Sequence, residues 1–346
     1  MRRDSRNFRR SMDKITMAHG SGGESTARLI DELFAKELGN PYLAQMEDST
    51  VVPGSGRLAV TTDSFVVTPA VYPGGDIGRL CVCGTVNDLL MSGAVPKYLT
   101  LGAILEEGLP LDTLQAIVHS IAETAAEAGV AVVAGDTKVV ENHSGENGGI
   151  LLNTAGVGFL KDDAPLLTPD RIREGDAVLV SGNLGDHHAA ILGRRMDITN
   201  RILSDNAPLT DMVRSLTAEV DVHEMRDVTR GGLATVLHEF AKAAGMQITL
   251  EEEALPVSND VKSFAGILGL DPLYMGNEGK MTAIVAAKDA DRALRILQSS
   301  RYGENAAIIG RVEHSETGSG TLILNTAIGG QRVLGPLYGE GLPRIC

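Results

Sequence analysis

Runs of β-branched and apolar residues alternate with runs of helical period along most of this 346-residue chain, and glycine-bearing turns separate them. Such alternation favours mixed α/β sheets whose faces are covered by helices. Residues 58–68 (LAVTTDSFVVT) read as a buried strand stopped by Pro69. Leu80 to Met91 is apolar on nearly every face except at Asn87 and Asp88, which predicts a helix buried all round. Leu111 to Ala128 places Leu114, Ile117, Val118, Ile121 and Ala125 at helical steps, with Gly129 as the cap. A strand over 130–134 is expected to run directly into Gly135-Asp136-Thr137-Lys138, with Asp136 just past its end, and 150–160 reads as a further strand. Beyond strand 177–181, helices near 187–195, 208–219, 230–244 and 289–300 alternate with strands near 246–251, 281–287 and 306–313. The chain has 40 glycines and no Trp, which fits tight strand-to-helix turns better than a sandwich.

Length and an apolar fraction of 43 % suit two domains. The reading is a disordered basic arm (1–14), an N-terminal domain (15–165), a C-terminal domain (166–334) and a mobile Gly/Pro tail (335–346). The boundary falls in the linker-like stretch 161–176. A net charge of −14 excludes the basic face that nucleic acid requires. Three cysteines (Cys81, Cys83, Cys346) argue for a reducing compartment, and no apolar run approaches the roughly 20 residues that span a bilayer. The twin arginine of the arm is followed by Met12-Asp13-Lys14, not by an export signal's apolar stretch. A cytoplasmic protein with neither nucleic-acid nor membrane partner is expected.

Several groups can carry chemistry. His19-Gly20-Ser21-Gly22-Gly23 opens a helix over 24–38, where backbone N–H groups suit phosphate, although a plain flexible turn reads equally well. Asp48, Asp63, Asp88, Asp136 and Asp227 lie at strand ends or in apolar settings. Hard carboxylates there suit Mg²⁺ with substrate phosphates, and each alone also suits a cap or a salt bridge. Lys138 and the loop Asn277-Glu278-Gly279-Lys280 could hold phosphate or move a proton, or be solvated charges. Arg226 and Arg230 flank Asp227-Val228-Thr229 before Gly231-Gly232, where they offer forked donors or merely bracket a helix cap. Cys81 and Cys83 lie about 200° apart on a helix, so they read as core residues and not as a metal pair. His187-His188 reads as local structure. Cys346 is the last residue, on a tail that spans at most roughly 35–40 Å.

Taken in order, these motifs resemble the HypE family of hydrogenase maturation proteins, from about Ile15 to Cys346. The pieces that carry the resemblance are His19–Gly23, Thr61-Thr62-Asp63-Ser64, Pro73–Gly78, Gly84–Leu89, Gly135–Val139, Asp227–Gly232, Gly276–Lys280 and the ending Pro343-Arg344-Ile345-Cys346. One departure is His188, where the family usually has glycine. The resemblance implies a two-domain fold like that of aminoimidazole ribonucleotide synthetase (PurM-like). Its N-terminal domain pairs in a homodimer to close a β-barrel, and ATP lies in a cleft between the domains. It implies that a HypF-like carbamoyltransferase loads the Cys346 thiol and that ATP drives dehydration of the carbamoyl group to a thiocyanate. The cyano group then passes to iron on a HypC–HypD-like complex, for nickel–iron hydrogenase. By this match Cys346, Glu278 and Lys138 are the catalytic candidates. Asp63, Asp88, Asp136 and Asp227 are the Mg²⁺ candidates. His19, Gly20, Ser21, Gly22, Gly23, Asp48, Thr62, Asp63, Asn87, Asp136 and Arg230 are the ATP contacts. Selenophosphate synthetase and thiamine-phosphate kinase are rivals of similar fold, but neither accounts for Cys346. A non-catalytic cysteine carrier is the rival of another class, and it has no need of the acidic motifs.

Overall fold

The computed structural model describes residues 14–21, 24–45, 49–145, 148–315 and 318–337. The basic arm, Gly22, Gly23, Asp48 and the tail from 338 to Cys346 lie outside the described residues.

Two main sheets divide the chain. Strands β1 (Arg57–Phe65), β4 (Val95–Glu106), β5 (Ala131–Val140) and β6 (Ile150–Leu160) form a four-stranded sheet in the order β1-β6-β4-β5. The short pair β2 (Val71–Tyr72) and β3 (Gly75–Asp76) stands apart. β7 (Ala177–Val180), β8 (Val222–Asp227), β9 (Gln247–Glu251), β10 (Met281–Val285), β11 (Ala307–Glu313), β12 (Thr321–Asn325) and β13 (Gln331–Leu334) form the second sheet, ordered β13-β12-β9-β11-β7-β10-β8. Helices cover both faces of this sheet, so β7 and β10 are buried along their whole length.

Helix α1 begins as Glu24–Leu29 and continues through a π turn, Ile30–Phe34, to Ala35–Glu37. Helix α2 (Ile77–Met91) is the hub. Asp76 caps it through the N–H groups of Gly78 and Arg79, at 2.7 and 2.9 Å. Its apolar surface packs on β1, β6, β8 and α3 (Leu111–Ala128), as a helix apolar all round must. Gly78 and Gly84 permit these approaches. A Cβ at Gly78 would stand 2.4 Å from the Ile117 carbonyl, and one at Gly84 2.9 Å from the Phe65 ring. Cys81 and Cys83 are buried free thiols, and burial pushes both pKa values up. In the second half follow α4 (Asp186–Arg195), α5 (Thr210–Glu219), α6 (Gly232–Ala244), α7 (Asn259–Leu268) and α8 (Ala290–Ser299).

The structure corrects the sequence reading at several points. The strand does not end at Ala134: Gly135-Asp136-Thr137-Lys138 continue it as part of β5. Strand β4, unread in the sequence, pairs with it in parallel through Val140, and its ladder overrides the glycine break. Helix α7 and strands β8, β12 and β13 also carried too little pattern to be read. His188 sits inside α4 and needs no glycine conformation, because the turn is made by Gly185 at φ +89°. Residues 335–337 are held, not loose. Tyr274 Oη donates to the Gly335 carbonyl at 3.0 Å, and the Leu337 N–H donates to Thr235 Oγ1 at 3.3 Å. Among the described residues one chain holds open sheets and no closed barrel, which is compatible with a barrel closed only between two chains.

Candidate active site

Four acidic side chains reach one small cavity of about 150 Å³ where the two sheets meet. Asp63 comes from β1, Asp88 from α2, Asp227 from the end of β8 and Glu278 from the loop before β10, with Arg230 at the rim. Strand alternation turns Thr61 and Asp63 towards α2, where Thr61 Oγ1 donates to Asp88 Oδ2 at 2.9 Å. Asp227 reaches the cavity because β8 ends there and Gly231, at φ +82°, turns the chain into α6.

The electrostatics are those of crowded carboxylates that Arg230 offsets only in part. Burial, with Asp88 and Asp63 nearby, raises the Asp227 carboxyl to about 7. Burial, reinforced by Asp227, Asp205 and Asp63, holds Glu278 well above the usual carboxylate range, while Arg230 opposes the shift. Asp63 and Asp88 are raised by burial as well. Glu278 sits in an anchored loop. Asn277 Oδ1 accepts from the Gly185 N–H at 2.8 Å, and its Nδ2 donates to the Val228 carbonyl at 3.1 Å.

This donor set suits a hard cation, and the mutual repulsion is what a cation would relieve. Among the described residues, no three His, Cys, Asp or Glu side chains stand close enough to hold a metal alone. The fit is therefore to Mg²⁺ that takes part of its shell from phosphates and water.

Other predicted residues lie elsewhere. Asp136 and Lys138 pair with each other at 2.7 Å on β5, at the opposite edge of the sheet from β1, and both are exposed. Lys138 holds the Asp136 carboxyl below its ordinary value. They do not join Asp63, Asp88, Asp227 and Glu278 within one chain. His19, Gly20 and Ser21 pack beside β5 as well. A Cβ at Gly20 would meet the Val139 Cβ at 2.7 Å, and His19 Nδ1 lies 3.0 Å from both the backbone N–H and the hydroxyl of Thr16. Next to them, Phe34, Leu38, Leu43, Leu101, Val132 and Val133 line an apolar groove of about 330 Å³ with Asp136 at its rim. Thr62 lines the acidic cavity, but its hydroxyl donates to the Thr154 carbonyl at 3.2 Å.

Asn87 is a correction. Its amide donates to the Ala207 carbonyl at 3.0 Å and accepts from the Leu209 N–H at 2.9 Å, so it clamps the domains together instead of facing a ligand. Arg226 is another, since it pairs with Glu239 and lies over the Phe240 ring. Asp205, which with Lys280 turns out to brace the Glu278 loop, sits in no motif of recognisable spacing, whereas Lys280 closes the Asn277–Lys280 motif.

The family model of the AIR synthase related protein N-terminal domain matches residues 46–160, and that of its C-terminal domain matches 173–323. The carbamoyl dehydratase HypE of Cupriavidus necator is 45 % identical over 338 residues, covering 96 % of this chain and 95 % of its own. The chain belongs to the HypE family. A solved structure of hydrogenase maturation protein HypE in complex with ATP superposes with a TM-score of 0.91 at 44 % identity, covering 95 % of this chain and 99 % of that one. A chain from a HypE–HypF complex matches with a TM-score of 0.76 at 43 % identity, over 89 % of this chain and 99 % of its own. Among the described residues no helix is long and apolar enough to cross a membrane.

Proposed function

We propose that this protein is a carbamoyl dehydratase, which uses ATP to turn a carbamoyl group on the Cys346 thiol into a thiocyanate for the cyanide ligand of a hydrogenase iron. The observation that carries the reading is the acidic cavity with Glu278 in it, in a chain of the HypE family.

The chemistry follows from the leaving group. An amide oxygen leaves poorly, and phosphorylation by ATP makes it leave as phosphate. The carbamoyl oxygen attacks the γ-phosphorus, ADP departs, and nitrogen releases one proton to solvent water to give an O-phosphorylated imidate on sulfur. The remaining N–H then gives its proton to a base, its electron pair forms the C≡N bond, and the C–O bond breaks with its pair on phosphate. Glu278 is the base. Burial keeps its proton affinity high, which suits removal of a weakly acidic N–H proton. Lys138 supplies charge to the phosphate. Asp63, Asp88 and Asp227 would hold Mg²⁺, which supplies charge neutralisation on the phosphates. Arg230, exposed at the rim, offers a fork to the same anion.

A cavity of about 150 Å³ takes phosphates and a metal but no nucleoside. The groove beside β5 is larger and apolar, so it suits the base, with His19, Gly20 and Ser21 next to the phosphates. These parts meet if two chains pair. The open face of the four-stranded sheet exposes Leu58, Val60, Val95, Ile104 and Leu151, an apolar surface that a second copy would cover. Pairing as a closed barrel sets β1 of one protomer beside β5 of its partner. Asp136, Lys138 and the base groove of one chain then complete the acidic cavity of the other. A HypF-like carbamoyltransferase would load the Cys346 thiol, and a HypC–HypD-like iron complex would take the cyano group from it. The test is mass spectrometry of the C-terminal peptide after incubation with ATP, Mg²⁺ and a carbamoyl-donor system. Thiocyanate on Cys346 supports the reading, and carbamoylation without loss of water refutes it.

A further inference from the structure

The residues that flank Glu278 are each gripped by one short segment. Asp205 lies between α4 and α5, and its Oδ1 accepts the backbone N–H of Glu278 at 3.0 Å. Its Oδ2 stands 3.3 Å from Lys280 Nζ, with the two side chains only 4 % and 8 % exposed. Its backbone carbonyl occupies the place where a side chain on Gly279 would begin, since a Cβ there would be 1.9 Å away. Two residues on, the Ala207 N–H donates to the Glu278 carbonyl at 3.3 Å. The near side of the same loop is tied down by Asn277 through Gly185 and Val228. Held at both ends, Glu278 stands with its carboxylate in the acidic cavity.

Asp205 itself does not line that cavity. It lines a neighbouring cleft of about 540 Å³, together with Lys280, Arg79 and Asp186. It is therefore placed behind the loop, away from the reacting atoms.

We infer that Asp205 is a positioning residue for the dehydration: its Oδ1 and backbone carbonyl set the path of residues 278–280 and so the aim of the Glu278 carboxylate. The inference rests on the reading of Glu278 as the base. A misplacement of about 1 Å at a reacting group can cost about 100-fold in rate, so the grip acts on turnover more than on nucleotide affinity.

Asp205→Ala alone is a poor test, because it leaves the buried Lys280 without its counter-charge and invites unfolding. Three variants separate the effects. Asp205→Asn, made together with Lys280→Met so that no buried cation is left unpaired, keeps a carbonyl oxygen for the Glu278 N–H. Asp205→Ala with Lys280→Met removes the grip and the buried cation together. Glu278→Gln reports on the base itself. Thiocyanate formation, ATP consumed per thiocyanate, and the KM for ATP are measured on the full-length protein with a carbamoyl-donor system. The Asp205→Ala/Lys280→Met variant should lose about 30- to 100-fold in kcat with KM for ATP within about threefold, and should waste ATP per thiocyanate formed. The Asp205→Asn/Lys280→Met variant should recover to within about threefold of wild type. Wild-type kcat in the Ala/Met variant, beside an inactive Glu278→Gln, overturns the inference and leaves Glu278 as base. An Asn/Met variant as slow as the Ala/Met one overturns it too, since the acceptor oxygen is then not what matters. Wild-type cyanation by Glu278→Gln removes the reading of Glu278 and the inference with it.

Discussion

The loop around Glu278 and the strand segment around Asp136 hold the same residue types in opposite states. Glu278 and its neighbours Asp63, Asp88 and Asp227 are crowded, and their pKa values are raised. Asp136 is exposed beside Lys138, and its pKa is lowered. The first group carries strain that a cation and a substrate proton can relieve. The second is a solvated ion pair that contributes little to stability. A carboxylate's motif is thus a poor guide to its task, because its neighbours in space set its charge. Asp63 and Asp136 also lie on opposite edge strands of one sheet, so a second chain is what would bring the two groups to the same ATP.

The largest effect tests the premise that both groups serve one thiol. Cys346→Ala should abolish thiocyanate formation, because the acceptor atom is gone, whereas Cys81→Ala should leave it within about threefold, because that thiol is sealed in the core. Mass spectrometry of the modified peptide decides it. Next, Glu278→Gln should cut cyanation by about 100-fold or more, in the range of a lost general base, with the KM for ATP within about threefold. A loss of nucleotide affinity instead would move Glu278 from proton transfer to binding.

Mixed dimers then test the pairing of the two groups. Asp136→Asn and Asp227→Asn homodimers should both be nearly inactive. Random reassortment makes about half the dimers mixed, each with one intact composite site, so about a quarter of wild-type activity should return. No recovery would place both aspartates in a site within one chain.

A smaller effect concerns pH. Asp227, raised to about 7, is protonated in the folded apo protein below that value. The folded state then binds more protons than the unfolded chain, so this group's contribution falls as pH rises from about 4 to about 7. Mg²⁺ must displace the proton, so its affinity should rise through pH 7, and its gain in Tm should be larger at pH 8 than at pH 6. Equal Tm gains at both pH values would count against Asp227 as a ligand. Last, Asn87→Ala should cost about 1–3 kcal/mol of stability by orphaning the Ala207 carbonyl and the Leu209 N–H, with the KM for ATP little changed. Chemical denaturation measures the first and initial rates the second.

Much of this protein was written locally. The spacing of Leu114, Ile117, Val118 and Ile121 gave α3 its face, the apolar run before Met91 made α2 a buried hub, and glycine at 129 closed a helix. Local pattern also marked Asp63, Asp88, Asp227 and Glu278 as unusual, because charge in apolar or glycine-flanked settings is visible residue by residue. Tertiary structure alone decided which of them meet. It joined Asp63, Asp88, Asp227 and Glu278 from four separate elements, left Asp136 and Lys138 at the far edge of the sheet, and used Asn87 to hold two domains together. It also made a strand of Gly135–Lys138, since the pairing that overrides a glycine comes from β4, some thirty residues earlier. The physical reason is the same in each case. Helix period and capping depend on neighbours within a turn of chain, whereas strand pairing, burial and the field at a carboxylate depend on residues that only the folded chain brings near.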